Sequence, residues 1–183
     1  MVAKAAVPSS HRVTGVAGDI TSGKARRKHV VNVSSGHKEI QIYSFIDVFR
    51  AEPLTRVHII KGGVPARHVD RMAREMGMPK ERLLPALGLS PATVNRRARE
   101  SKKLSTEDSE RVVGMARLVG QVQAMVDESG DPSGFNAAEW VARWLEEPLA
   151  ALGGQRPVEL MDTTEGQAIV SNLLARVQSG AYA

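Results

Sequence analysis

Between Pro91 and Lys103 the side chains able to hydrogen-bond or carry charge crowd together: Thr93, Asn95, Arg96, Arg97, Arg99, Lys102 and Lys103. None pairs a nucleophile with a base, so the chemistry they suit is recognition, and specifically recognition of a polyanion. Asparagine can pair bidentately with adenine and arginine with guanine, whereas lysine and further arginines meet phosphate oxygens and displace counterions. Thr93, Asn95 and Arg96 are therefore candidates for base contacts. Arg97, Arg99, Lys102 and Lys103 are better placed for phosphates. A helix face rich in Lys and Arg is also what a merely solvated surface looks like, so the surrounding elements have to decide between the two.

Those elements are helical. Ser90 offers an N-cap oxygen and Pro91 a first-turn proline, which predicts a helix from there to about Ser101, with only Val94 and Ala98 facing inward. Before it, Pro79 opens a helix carrying Leu83, Leu84 and Leu87, which Gly88 stops and Pro85 can distort. Two short helices joined by a four-residue turn, the second one basic, have the spacing of a helix-turn-helix. Further upstream, Phe45, Val48 and Phe49 share one face, and residues 54–61 form another short helix closed by Gly62 and Gly63. Pro65 then suits the first turn of a helix with Ala66, Val69, Met72, Ala73 and Met76 as its stripe, ending at Gly77. Downstream, Ser105 to Asp108 resembles a capping box. It opens a long helix whose Val112, Met115, Val119, Val122 and Val126 make a seam suited to the preceding helices or to a second subunit.

Gly130 to Gly134 reads as a linker, and the charge balance changes sign there. Residues 1–130 carry 22 basic and 13 acidic side chains, residues 131–183 carry 3 and 7, so a polyanion-binding part is joined to a part with another task. In the second part Asn136 can cap a helix with Trp140, Val141, Trp144 and Leu145, the tryptophans serving as core, and Pro148 ends it. Gly153 and Gly154 permit backbone angles closed to other residues, and residues 157–161 give one helical turn. Residues 162–165 cap a last helix with Ile169, Val170, Leu173, Leu174 and Val177 inward, and Gly166 allows close approach. The expectation is an all-α protein in three parts: a basic, largely flexible arm over 1–43, a helix-turn-helix domain over 44–130 and a small helical domain over 131–183. Within the arm, Val30 to Val33 and Glu39 to Tyr43 permit a marginal hairpin.

Composition narrows function by exclusion. There is no cysteine, which removes disulfides, thiolate catalysis and Cys-containing zinc sites. His11, His29, His37, His58 and His68 show no mutual spacing that would hold a metal. No P-loop, dinucleotide-binding glycine pattern or His-carboxylate pair supports an enzyme, and no cofactor is expected. No stretch approaches the roughly 18 apolar residues of a membrane span, and the reading is a cytoplasmic protein without membrane contact.

Several of these residues also carry a family likeness. Trp144-Leu145 with Pro148, Leu152-Gly153-Gly154, Pro157 to Met161, Thr163, Gly166, Val170, Leu173-Leu174 and Val177 to Tyr182 resemble the small toxin-binding domain of the Xre/MbcA/ParS-type antitoxins. These accompany RES-domain toxins in type II toxin-antitoxin modules. Leu87 to Ser90, Thr93-Val94 and Arg96-Arg97 are similar to the Xre-like helix-turn-helix of that family, whereas the long basic arm and Pro85 depart from it. The resemblance implies a partner, a RES-domain toxin that consumes or uses NAD, whose NAD pocket the antitoxin obstructs with its extreme C-terminus. Carried onto this sequence, Arg176, Ser179, Gly180, Tyr182 and the carboxylate of Ala183 become the candidate plug, with Tyr182 able to stack where an aromatic base would sit.

The function so implied is an antitoxin that neutralises its toxin and represses its own operon. A single helix-turn-helix makes few base contacts, so operator DNA would engage a homodimer or a larger assembly with toxin, on half-sites about 34 Å apart. The competing reading is a stand-alone transcriptional repressor whose C-terminal domain mediates dimerisation.

Overall fold

In the computed structural model, residues 44–130 and 133–178 are described, and they fall within one compact unit. The arm, its hairpin and the last five residues lie outside them. Among the described residues there are eight α-helices, two short 3-10 turns and no strand; Pro65 and Lys103 form an isolated antiparallel bridge.

Helix α1 (Phe45–Arg50) starts where the Ser44 hydroxyl accepts from the amide of Asp47, and it buries Val48. Helix α2 (Pro53–Gly62) has no fully buried residue. Its Leu54 is 65% exposed and its Val57 40%, because apolar side chains surround this helix and only Ile59 and Ile60 pack partly on the core. Helix α3 (Arg67–Glu75) begins two residues after Pro65, whose place in a helix is taken by the bridge to Lys103. Its stripe buries Val69, Met72 and Ala73 as the spacing predicts, and Gly77 (φ +58°) turns the chain out of it.

Helices α4 (Lys80–Ala86) and α5 (Pro91–Arg99) are the predicted pair. The end of α4 is a left-handed glycine stop. Gly88 has φ +59°, and the amide of Leu89 reaches back to the carbonyl of Leu84 at 2.8 Å. Pro85 sits in the last turn, where the helix is already about to end. Helix α5 finishes at Arg99 rather than near Ser101, because Ser101 takes φ +54° and the amide of Lys102 closes on the carbonyl of Arg97 at 2.8 Å. The chain after it is stitched to the segment between α2 and α3: the Ala66 amide donates to the Lys102 carbonyl, and the Leu104 amide to the Val64 carbonyl at 2.7 Å.

Helix α6 (Thr106–Ser129) is the axis of the fold, 24 residues and so roughly 36 Å long. Its Ser105 cap accepts from Asp108 at 3.1 Å. Along the predicted seam Val112, Met115, Val119 and Val122 are buried against the protein's own helices, whereas Val126 is half-buried. Burial spreads well beyond one seam to Val113, Ala116, Leu118, Gly120 and Ala124, since α1, α2, helix α7 (Ala137–Trp144) and helix α8 (Thr164–Gln178) all pack on α6. Near its start, Ser109 is fully buried and its hydroxyl accepts from the Val64 amide at 2.9 Å, satisfying a donor that would otherwise be stranded.

Asn136 caps α7 by accepting from the amides of Ala138 and Glu139. Trp140 and Trp144 stack at a centroid separation of 5.8 Å, with Trp144 buried and Trp140 only partly so. After Pro148 come 3-10 turns over Ala150–Leu152 and Pro157–Leu160. Thr163 then caps α8, its hydroxyl accepting from the Gly166 amide at 3.1 Å. A Cβ on Gly166 would stand 1.9 Å from the carbonyl oxygen of Leu160, so the predicted close approach is made against that turn. Val170, Leu173 and Leu174 point inward, but Ile169 does not and is 41% exposed. One apolar cluster takes residues from both sides of the linker, Val94 and Leu104 together with Trp144, Leu145, Met161, Val170 and Leu174.

Candidate functional site

Helix α5 is anchored by one side chain. Val94 is fully buried beside the half-buried Ala98, and the Ser90 hydroxyl accepts from the amide of Thr93 to hold the first turn. That anchoring turns Asn95, Arg96 and Arg99 to the outside, all three exposed. Among the described residues the guanidinium of neither Arg96 nor Arg99 makes a hydrogen bond or ion pair. Thr93 is half-buried on the flank of the same turn.

The remaining basic candidates divide differently. Lys102 is exposed and pairs with Glu100 at 2.8 Å. Glu100 in consequence titrates below its ordinary value, first through the Lys102 hydrogen bond, then through the Lys102 charge, with smaller contributions from Arg96 and Arg97. Arg97 lies half-buried and donates from Nη1 to the Lys103 carbonyl at 2.7 Å, with its Nε withdrawn from solvent. Lys103 sends its ammonium to the Gly62 carbonyl at 2.8 Å. These two cations fasten the loop after α5 to the end of α2, a structural task that their charge alone, which suggests only phosphates, does not announce.

Sequence reasoning missed two residues. Lys80, on α4, donates from Nζ to Asn95 Oδ1 at 2.5 Å and forms an ion pair with Asp70 of α3. A chain of polar contacts thus crosses α3, α4 and α5 and ends on the outward face of α5. The sequence carried only a weak signal for it: a cation at the first position of a helix opposes the helix dipole, which sets Lys80 apart without naming its partners. The second is Arg111 of α6. Its Nη1 donates to the carbonyls of Leu87 and Gly88 at 3.3 and 3.0 Å, bracing the turn between α4 and α5 from behind.

Of the candidate plug, Arg176 lies exposed in the last turn of α8. Ser179, Gly180, Tyr182 and Ala183 lie outside the described residues. Among the described residues no group of three or more His, Asp or Glu side chains could hold a metal ion, and no helix is long and apolar enough to cross a membrane. His68, expected at a surface or half-buried, is buried on α3. Its imidazole titrates below its ordinary value through burial first, then through the charges of Arg67 and Arg71.

Fold and site together define a helix-turn-helix protein with a second helical module built on the same long helix. Residues 55–117 match the family model of the antitoxin Xre-like helix-turn-helix domain, and residues 130–180 match the antitoxin Xre/MbcA/ParS C-terminal toxin-binding domain. The chain is 48% identical over 141 residues to the Prs ADP-ribosylating antitoxin of a Sphingobium species, covering 77% of this chain and 89% of that protein. It is 29% identical over 126 residues to an antitoxin Xre of Yersinia enterocolitica, covering 69% and 80%. An antitoxin Xre of Photorhabdus laumondii shares 24% over 122 residues, covering 67% and 77%. The chain belongs to the Xre/MbcA/ParS antitoxins, which are binding proteins and not enzymes.

Proposed function

We propose that this antitoxin neutralises a RES-domain toxin in the cytoplasm and represses its own operon by presenting the outward face of α5 to the major groove. The observation that carries the DNA half is the exposure of Asn95, Arg96 and Arg99 on a helix whose opposite face is pinned by Val94. With Lys102 beside them they form the DNA-facing set, Thr93 lies at its edge, and Arg97 of α5 and Lys103 of the following loop support it. Two copies, or a toxin-bound assembly, would place two such helices about 34 Å apart on operator half-sites.

The toxin half rests on the match of residues 130–180 to a toxin-binding domain. The name of the Sphingobium relative joins it to ADP-ribosylation of Prs; carried to this chain, that makes the partner an enzyme that transfers ADP-ribose from NAD. Arg176, Ser179, Gly180, Tyr182 and Ala183 are the proposed plug of its NAD pocket, with the Tyr182 ring in the place of an aromatic base. Co-expression with a RES-domain toxin sought beside its gene tests the reading. The full chain should restore growth and block NAD consumption. A chain ending at Gln178 should lose both while still retarding operator DNA, and full neutralisation by that truncation would remove the plug.

A further inference from the structure

The hydrogen bond between Lys80 and Asn95 determines more than local packing. We propose that the chain Asp70–Lys80–Asn95 fixes the Asn95 amide so that it reads guanine, not the adenine that asparagine most often reads. This rests on α5 being the DNA-reading helix. A lysine ammonium has three donors and no acceptor, so Lys80 can face only the oxygen of the Asn95 amide, never its nitrogen. Asp70 holds the same ammonium from α3, and the pair is mostly sheltered, with side chains 21% and 34% exposed. Asn95 itself is exposed, so the group left facing outward is its NH2.

Bidentate pairing with adenine needs both ends of the amide, the oxygen accepting from N6 and the nitrogen donating to N7. The oxygen keeps a second lone pair, but Lys80 holds it toward α4 and away from N6 of a base in the groove, so Asn95 presents its donors outward. Guanine presents two acceptors side by side in the major groove, N7 and O6, and is the base such a donor fits. Lys80 is in this account a positioning residue that acts through Asn95.

The test is selection from a randomised duplex DNA library by the full chain, its Asn95→Ala variant and its Lys80→Met variant. The unaltered chain should select guanine at one position per half-site that Asn95→Ala relaxes by about tenfold or more, with the other positions kept. Lys80→Met frees the amide to rotate, and the same position should shift toward adenine. Should Lys80→Met fail to fold, 7-deazaguanine at that position decides: it should weaken the unaltered chain and leave Asn95→Ala unmoved. The proposal is overturned if Asn95→Ala relaxes an adenine, weakens all sequences alike or changes no preference, if folded Lys80→Met keeps guanine, or if 7-deazaguanine weakens both proteins equally. An unaltered chain that selects no sequence at all would instead remove the DNA-binding reading, and this proposal with it.

Discussion

The side-chain amide of Gln167 donates to the backbone carbonyl of Arg111 at 3.1 Å and to that of Met161 at 2.8 Å, tying α8 to α6 and to the turn before it. There is room for this only because position 114 is glycine: a Cβ there would lie 1.6 Å from Gln167 Oε1. Gln167→Ala should cost about 1–3 kcal/mol, chiefly for the buried Met161 carbonyl left without its donor. Gly114→Ala should cost a similar amount by evicting the same side chain. The double variant should lose less than the sum, since its new methyl enters space already vacated. Urea denaturation of the four proteins reads the cycle, and strict additivity would count against the shared cause.

Gly120 makes a harder close approach of the same kind. A Cβ there would stand 2.1 Å from the backbone carbonyl oxygen of Phe45, and α1 lies along α6 at this point. Backbone cannot swing aside as a side chain does. Gly120→Ala should therefore be destabilising by about 1–3 kcal/mol from overpacking, in spite of the roughly 1 kcal/mol that alanine gains over glycine within a helix. A raised melting temperature in a thermal scan would contradict the packing of α1 on α6.

On α5 the arginines should separate by experiment. Arg96→Ala and Arg99→Ala leave packing untouched and should weaken operator binding, the slope of log affinity against log salt falling by about 0.9 for every phosphate left without its cation. Arg97→Ala should instead lower stability, because it removes the hydrogen bond to the Lys103 carbonyl that anchors the loop. Fluorescence anisotropy over a salt series, set beside denaturation curves, gives both numbers for each variant. Equal stability losses in all three would mean that the whole helix face is structural.

His68 makes the fold sensitive to acid. Burial and the charges of Arg67 and Arg71 lower its folded-state value below the unfolded value of about 6.5. The unfolded chain then binds the proton more readily, so the stability His68 contributes is present above about pH 6.5 and is lost as pH falls through the folded value. Denaturation midpoints at pH 7.5 and 5.5 should differ less in His68→Gln than in the unaltered chain. An unchanged difference would show that carboxylates alone account for the acid loss.

What could be read from the sequence was local. Ser90, Ser105 and Asn136 were identifiable as caps because each needs only the residues two or three places on, and all three accept the expected amides. The glycine stops at 77 and 88 and the stripe of α3 were legible on the same ground. What escaped was joined through space. Asp70, Lys80 and Asn95 lie on three different helices, and no periodicity in one of them reports the others. Arg97 and Arg99 look alike in sequence, two places apart, yet one turns to the loop and the other outward. In α2 the apolar residues surround the helix, so nothing local said that Leu54 and Val57 would be left outside.

Arg111 stands at the crossing of the two tasks. Its guanidinium braces the turn ahead of α5, while its own carbonyl is gripped from α8. The apolar cluster runs unbroken past it. On the proposed function, a protease or chaperone that pries the chain open anywhere along that shaft would discharge both commitments together, making toxin release and operon derepression one event instead of two.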